Sequence, residues 1–145
     1  MPRKKEAKEK SKIFVLGGFR KRAIARATIK EGTGKITINK KPIEVFNNFH
    51  QLLLKEPLII AEEILKDKLK SIDISVFVKG SGIESQIDAS RLAIARALIA
   101  YTKSNELKNA YLRYDRMLLV ADTRRKEMRK PGDSKARAKR QKSYR

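Results

Sequence analysis

Alternating apolar and polar residues predict two extended segments in the first third of the chain. Small or apolar side chains at 23, 25, 27 and 29 alternate with Arg22, Ile24, Arg26 and Thr28. Residues 13–32 are therefore predicted to be extended, with one face packed inward and arginines on the other. A glycine-marked turn then leads to Ile36 and Ile38, and Pro42 ends this second strand, so that the pair is predicted to form a β-hairpin.

From residue 43 the apolar spacing becomes helical. A short helical piece is predicted over 43–49, followed by a longer helix over 57–70 with Pro57 in its first turn. The stretch IDISVFVKG, residues 72–80, alternates again and predicts a strand that is covered on one face.

The last third is predicted to be mostly helical. A glycine turn at residues 80–82 leads into a helix whose alanines at 93, 97 and 100 permit close packing on a sheet. A further helix at 106–114 and a short strand at 117–121 complete the pattern. The order β-β-α-α-β-α-α-β predicts an α+β fold, a mixed sheet with helices packed on one face.

Charge divides the chain into a nearly neutral middle and two basic ends. The 36 Lys and Arg against 16 Asp and Glu give +20, which makes a polyanion the expected partner, nucleic acid before anionic membrane. Residues 1–12 carry a net +4 and residues 124–145 a net +9, whereas residues 27–78 hold eight bases and seven acids. We therefore predict a basic arm at 1–12, a globular domain at 13–123 and an extended basic tail at 124–145, both ends being too poor in apolar residues to fold alone.

Composition excludes several other classes. The chain has no Cys and a single His, so that neither a thiolate site nor a histidine-built metal site is expected, and no cofactor is predicted. No segment has the roughly 20 apolar residues of a membrane helix, and the tail lacks the apolar wedges of a surface anchor. No nucleophile motif accompanies His50, which reads as a boundary residue, so that the chain is not expected to be an enzyme.

Two motifs in the globular part suit an anionic partner. Arg20, Arg22 and Arg26 fall on one side of the proposed strand over roughly 13 to 20 Å, which fits a phosphate backbone, although a solvated sheet face is the alternative. The KGSGIESQ loop, residues 79–86, combines glycines with a helix N-terminus but lacks a nucleotide-binding fingerprint. Both a plain tight turn and an RNA backbone contact stay open for this loop.

The aromatic residues divide into two groups. Tyr101, Tyr111 and Tyr114 have helical spacing among apolar residues, which favours core packing over base stacking. Tyr144 lies in the basic tail without a core to join, so that stacking on a nucleobase is the better explanation. For the tail as a whole, nuclear import, a DNA clamp and a membrane anchor are weaker alternatives to a segment that threads into RNA, for which arginine is well suited.

Three stretches resemble a known family. They are GFRKRAIARATI at 18–29, KGSGIESQIDASRLAIARAL at 79–98 and DTRRKEMRKPGDSKARAKRQKSYR at 122–145. They are similar to the ninth small-subunit ribosomal protein in its archaeal and eukaryotic form, over residues 13–145. The resemblance implies the α+β fold of the second domain of ribosomal protein S five, a place in the head of the small subunit of the cytoplasmic ribosome, and a tail directed at the decoding site.

The same resemblance, together with the charge pattern, gives the expected partners and site residues. The partners are small-subunit ribosomal RNA of the head, neighbouring head proteins and the anticodon stem-loop of the peptidyl-site transfer RNA, with no membrane. Contact with the transfer RNA is expected from Ser143, Tyr144 and Arg145. Contact with ribosomal RNA is expected from Arg20, Lys21, Arg22, Arg26, Arg124, Arg125, Lys126, Arg129, Lys130, Lys135, Arg137, Lys139, Arg140 and Lys142. The rival hypothesis is a free-standing protein that compacts DNA or RNA, against which the absence of a recognition helix argues.

Overall fold

The computed structural model describes residues 13–132 and 135–144, and the predicted arm at 1–12 and Arg145 lie outside the described residues. The strands are β1 (Phe14–Arg20), β2 (Ala23–Glu31), β3 (Ile36–Ile38), β4 (Lys41–Pro42) and β5 (Ile72–Lys79). The helices are α1 (Asn48–Leu65), α2 (Asp67–Lys70), α3 (Ile83–Thr102) and α4 (Asn105–Tyr114), with 3₁₀ turns at Ile43–Val45 and Arg116–Leu118.

The five strands form one mixed sheet in the order β1-β2-β5-β3-β4. β1, β2 and β5 are antiparallel neighbours, whereas β3 runs parallel to β5 and pairs with β4 on its other side. The α+β class with helices on a mixed sheet is therefore confirmed.

The core lies between one face of the sheet and helix α3. The predicted inward positions of β2, from Ala23 to Ile29, and the four apolar residues of β5 from Ile72 to Val78 are buried. α3 packs across β1, β2 and β5, α1 packs against α3, and α4 packs against α1 and α3. In the described part of the chain, the opposite face of the sheet carries no helix.

Gly18 sets how closely α3 approaches β1. A Cβ atom at this position would lie 2.1 Å from the carbonyl oxygen of Ala89 and 2.7 Å from the amide nitrogen of Ala93. The helix backbone therefore rests directly on the strand, which only glycine permits here. Gly17 and Gly18 are both part of β1 and do not break it.

The predicted hairpin between residues 13–32 and the strand at Ile36–Ile38 is wrong. Residues 13–32 form a hairpin of their own, which turns at Lys21 (φ 50°) and Arg22, and β5 lies between β2 and β3. β5 has the same alternation as β2, so that pairing the two completes one apolar face. The glycine turn after β2 wraps around the carboxylate of Asp73, which accepts hydrogen bonds from the amides of Thr33 (2.8 Å) and Lys35 (2.9 Å). These amides lower the pKa of Asp73.

The first long helix differs from its prediction in both bounds. α1 begins at Asn48, so that Pro57 lies inside the helix and is buried, although a first-turn position was expected. The helix ends where Lys66 adopts a φ of 46°, which separates the short α2 from it. The amphipathic spacing continues through this break and therefore concealed it.

The predicted strand at residues 117–121 is also wrong. Asp115 accepts a hydrogen bond from the amide of Met117 (2.8 Å) and starts a 3₁₀ turn over Arg116–Leu118, whose Leu118 is fully buried. The apolar run MLLVA therefore covers the core as a turn and pairs with no strand of the described sheet.

Candidate nucleic-acid interface

Basic side chains from two distant parts of the sequence line one open cleft. The β1–β2 hairpin contributes Arg20, Lys21 and Arg22, and the start of the tail at residues 124–126 contributes three more bases. Ser81, in the loop between β5 and α3, completes the lining of a cleft of about 830 Å³. Six cationic groups around a solvent-filled space of this size can accommodate the phosphates of a polyanion.

The hairpin turn is fixed against the glycine loop. Gly80 adopts a φ of 86°, and a Cβ atom there would lie 2.5 Å from the carbonyl oxygen of Arg22. The amide side chain of Gln86 donates to the carbonyl oxygen of Gly80 (3.1 Å) and closes the loop from the helix side. Lys21 and Arg22 are thus exposed on a turn whose backbone is held in place.

Arg20 is built into the domain more than the sequence suggested. Its Nε donates to Oδ2 of Asp88 on α3 (3.2 Å), and a terminal nitrogen donates to Oδ2 of Asp122. Its side chain is 23% exposed. Arg20 therefore lies at the edge of the cleft with its charge shared between two carboxylates.

Asp122 joins the hairpin to the tail. Its side chain is 6% exposed and accepts hydrogen bonds from Arg20 and from the guanidinium of Arg124, whose Nη2 lies 2.7 Å from Oδ2. It also accepts from the amide of Arg124 (2.8 Å). The Arg124 side chain, the Arg124 amide and Arg20 together hold the pKa of Asp122 far below its usual value, and Asp122 raises the pKa of Arg124. The tail thus leaves the domain from a fixed point.

Arg96 and Arg91 on α3 hold the segment that precedes the tail. Arg96 donates to the carbonyl oxygens of Leu119 (2.8 Å) and Gly17 (3.0 Å), which ties the segment before the tail to β1. Arg91 contacts the carboxylates of Glu56 (2.5 Å) and Asp115 (3.1 Å). Neither residue was singled out from the sequence, because nothing near them in the chain reveals acceptors so far away.

The predicted line of three arginines on one strand is not formed. Arg20 ends β1 and points towards α3, Arg22 lies in the turn, and Arg26 lies in β2 on the open face of the sheet. The turn at Lys21 and Arg22 reverses the chain, so that Arg20 and Arg22 reach the cleft whereas Arg26 lies on the open face of the sheet. Arg22 faces the cleft, and Arg26 does not line it.

The tail is irregular and exposed over its described residues. No helix or strand occurs within 123–132 and 135–144, where the predicted bases are exposed together with Ser143 and Tyr144. An ion pair joins two residues of the tail. Nη2 of Arg137 lies 2.5 Å from Oε1 of Glu127, and Nε of Arg137 donates to Oε2 (3.0 Å). This pairing lowers the pKa of Glu127 and raises that of Arg137.

The remaining candidates from the sequence have structural partners. Tyr101 packs edge-on against Phe14 with ring centroids 5.7 Å apart, and buried Tyr111 donates to the carbonyl oxygen of Pro57 (2.7 Å). Tyr114 donates to Glu56 (2.7 Å) although its ring is exposed. His50 contacts Glu84 through Nε2 at 2.8 Å, which joins the first turns of α1 and α3. Core and boundary roles therefore account for these contacts.

The described residues offer neither a metal site nor a membrane-spanning helix. Residues 13–132 and 135–144 contain no cluster of three or more His, Cys, Asp or Glu side chains placed to hold a metal ion. None of the helices within the same ranges combines the length and the apolar character that crossing a membrane requires.

Comparison with known proteins gives a consistent result. Residues 18–145 match the family model described as ribosomal protein S9/S16. The small ribosomal subunit protein uS9 of Methanococcus maripaludis is 53% identical over 137 residues, which cover 92% of this chain and 99% of the relative. The uS9 proteins of Methanococcus vannielii and Thermoplasma volcanium are 53% and 47% identical, over 92% and 88% of this chain and 99% and 95% of those relatives.

Proposed function

Since this chain belongs to the ribosomal protein S9/S16 family and is a structural protein of the small ribosomal subunit, not an enzyme, we propose that its basic cleft and tail bind ribosomal RNA in the subunit head. The observation that carries this proposal is the convergence of Lys21 and Arg22 with the tail bases on one cleft. A folded basic surface that continues into an exposed basic tail suits an RNA site that is both a surface and a channel.

Ribosomal RNA contact is assigned to two groups of residues. On the folded domain, Lys21 and Arg22 supply exposed charges and Arg20 orders the edge of the cleft. Along the tail, bases recur every one to three residues over much of its length, which allows successive phosphates to be neutralised. The tail contacts are proposed for Arg124, Arg125, Lys126, Arg129, Lys130, Lys135, Arg137, Lys139, Arg140 and Lys142.

The end of the tail is assigned to the peptidyl-site transfer RNA. Ser143 and Tyr144 are exposed, and Tyr144 at 88% has its ring free to stack on a base. Arg145, which lies outside the described residues, would add a guanidinium for a phosphate of the anticodon stem-loop. Neighbouring head proteins and a cytoplasmic location belong to the same proposal.

Sucrose-gradient fractionation tests the assignment. Lysate is separated at low and at high salt, and this protein is followed by antibody beside the ribosomal RNAs. We expect the protein to remain with the small subunit through the high-salt wash, because a site formed by cleft and tail together dissociates slowly. Protein at the top of the gradient, or migrating with DNA, would support the rival hypothesis of a free-standing nucleic-acid-compacting protein.

A further inference from the structure

The face of the sheet turned away from α3 exposes a set of apolar side chains. Val15 and Phe19 on β1, Ile24 on β2 and Phe77 on β5 are between 39% and 60% exposed. Each alternates along its strand with residues that pack on the helices, so that all four lie on the same open face. An exposed apolar surface formed by three adjacent strands is a candidate interaction site.

The strand register places basic and aromatic side chains in neighbouring rows. Arg26 lies between Gly17 and Phe77 in one row, and Ile24 lies between Phe19 and Lys79 in the next. The ring of Phe19 leans over Gly17, since a Cβ atom on that glycine would lie 3.4 Å from Cζ of Phe19. Neighbouring strands are about 4.8 Å apart, so that the two rings and Arg26 form one continuous surface.

The charges around these rows favour an anionic occupant. Arg26 and Lys79 lie within the rows, and Lys30 lies further along β2 on the same face. Asp73 on β5 is the acid of this face nearest to Lys30, and the turn amides of Thr33 and Lys35 occupy its Oδ1. A protein partner with acidic groups would match the charge alone, whereas two exposed aromatic rings beside a guanidinium match an unstacked nucleobase and its phosphate together.

We propose that this open face binds single-stranded RNA, with bases stacked on Phe19 and Phe77 and phosphates held by Arg26 and Lys79. The inference rests on the proposed function and extends it from phosphate contact in the cleft to base contact on the sheet. Base stacking on the uncharged rings contributes to affinity in addition to the electrostatic attraction. This stacking contribution persists as salt rises.

The absence of tryptophan from the sequence allows a direct optical test. A Phe77→Trp variant of the full chain has one tryptophan on the sheet face, and a Phe49→Trp variant has one on α1. Both parent side chains are 60% exposed, which makes the pair well matched. Residues 43–54 around Phe49 contain no Lys or Arg, so that RNA is not expected to bind there.

Each variant is titrated with purified small-subunit ribosomal RNA while tryptophan emission is recorded, and binding is followed independently by sedimentation. We expect RNA to quench the emission of the Phe77→Trp variant and to leave that of the Phe49→Trp variant unchanged. A duplex RNA, whose bases are already stacked, should bind with little quenching. Unchanged emission of the Phe77→Trp variant with RNA demonstrably bound would overturn the inference and leave the proposed function intact, whereas absence of RNA binding by either variant would count against the proposed function itself.

Affinity gives a second measurement. A Phe19→Leu, Phe77→Leu double variant retains apolar side chains for the sheet, and its fold is checked by circular dichroism. We expect its affinity for the ribosomal RNA to fall about 5-fold or more with an unchanged dependence on salt, whereas Arg26→Gln should also reduce that dependence. Shielding of the Phe77→Trp side chain from acrylamide in intact subunits, without quenching by free RNA, would show that a protein covers this face and would refute the RNA assignment.

Discussion

Asp122, just before the tail, accepts a hydrogen bond from Arg20, at the end of β1, across 102 positions of sequence. Through this contact the hairpin and the tail belong to one basic surface. The same carboxylate holds Arg124, so that its negative charge lies between two guanidinium groups that would otherwise repel each other at close range.

Replacing Asp122 with Asn should loosen this junction. We expect a lower melting temperature at pH 7 and weaker RNA binding. Because the folded pKa of Asp122 lies below its ordinary 3.8, the unfolded state binds the proton first as the pH falls. The stabilisation by Asp122 is therefore complete above about pH 4 and declines below it. Thermal melts of wild type and Asp122→Asn should converge in acid, whereas Glu63→Gln, at an exposed position of α1, should melt like wild type throughout.

Gly18→Ala should destabilise the domain severely. Its new methyl group would overlap the backbone of α3, at 2.1 Å from the carbonyl oxygen of Ala89, and the helix would have to move. We expect a loss of about 3 kcal/mol or more in urea unfolding. Gly82→Ala is the matched control, since a Cβ atom there has no neighbour within 4 Å, and its effect should stay within about 1 kcal/mol. Equal stabilities of the two variants would disprove the close approach of α3 to β1.

Tyr111→Phe removes the hydroxyl that donates to the carbonyl oxygen of Pro57 inside α1. We expect the free energy of unfolding to fall by about 1 kcal/mol at neutral pH, because one hydrogen bond is lost while the carbonyl keeps its place in the helix. Burial raises the pKa of Tyr111 above its ordinary 10.0, so that above pH 10 the unfolded state releases the proton first and wild type loses stability. The difference between the two proteins should therefore shrink in alkaline urea titrations. A difference that grows with pH would be inconsistent with a buried neutral phenol.

Removing Ser143 to Arg145 should leave folding and incorporation into the subunit unchanged, because Ser143 and Tyr144 are exposed and belong to no helix or strand. Binding of transfer RNA at the peptidyl site should weaken, as measured by filter binding to purified subunits. Lys55→Gln, which removes one exposed charge from α1, serves as a control with an intact tail. Loss of cooperative melting in the truncated protein would mean that the end of the tail contributes to the fold.

Binding to ribosomal RNA should depend steeply on salt. If about 8 phosphates are neutralised, log affinity should fall against log salt with a slope of about −7, and Arg22→Gln should reduce the slope by about 1. Titrations by fluorescence anisotropy of labelled RNA measure both quantities. A slope close to zero would rule out an electrostatic cleft and tail.

The sequence predicted those parts of the fold that depend on local periodicity. The inward positions of β2, strand β5 and helices α3 and α4 follow from alternation or helical spacing, and all four occur where expected. Strand pairing did not follow, because β5 inserts between β2 and β3 after a long connection through α1. Local pattern also concealed the bounds of α1, which begins at Asn48, well before Pro57, and ends at Leu65, where Lys66 adopts a positive φ.

The candidate interface divides in the same way. Charge density alone identified the hairpin and tail bases, since composition shifts are visible along the chain. Their meeting in one cleft depends on Arg20 finding Asp88 and Asp122, which lie 68 and 102 positions away. The predicted line of arginines does not form, because Lys21 and Arg22 make a turn where the pattern predicted a continuous strand.

The junction at Asp122 also sets a tether length. Residues 124–145, fully extended at about 3.3 Å each, span roughly 70 Å, so that whatever the terminus touches must lie within that radius of the end of β1. The pairing of Glu127 with Arg137 shortens this span, because two side chains ten positions apart in the sequence are held in contact. A phosphate that competes for Arg137 would release the stored length, and contact near the domain would then extend the reach of Tyr144 far from it.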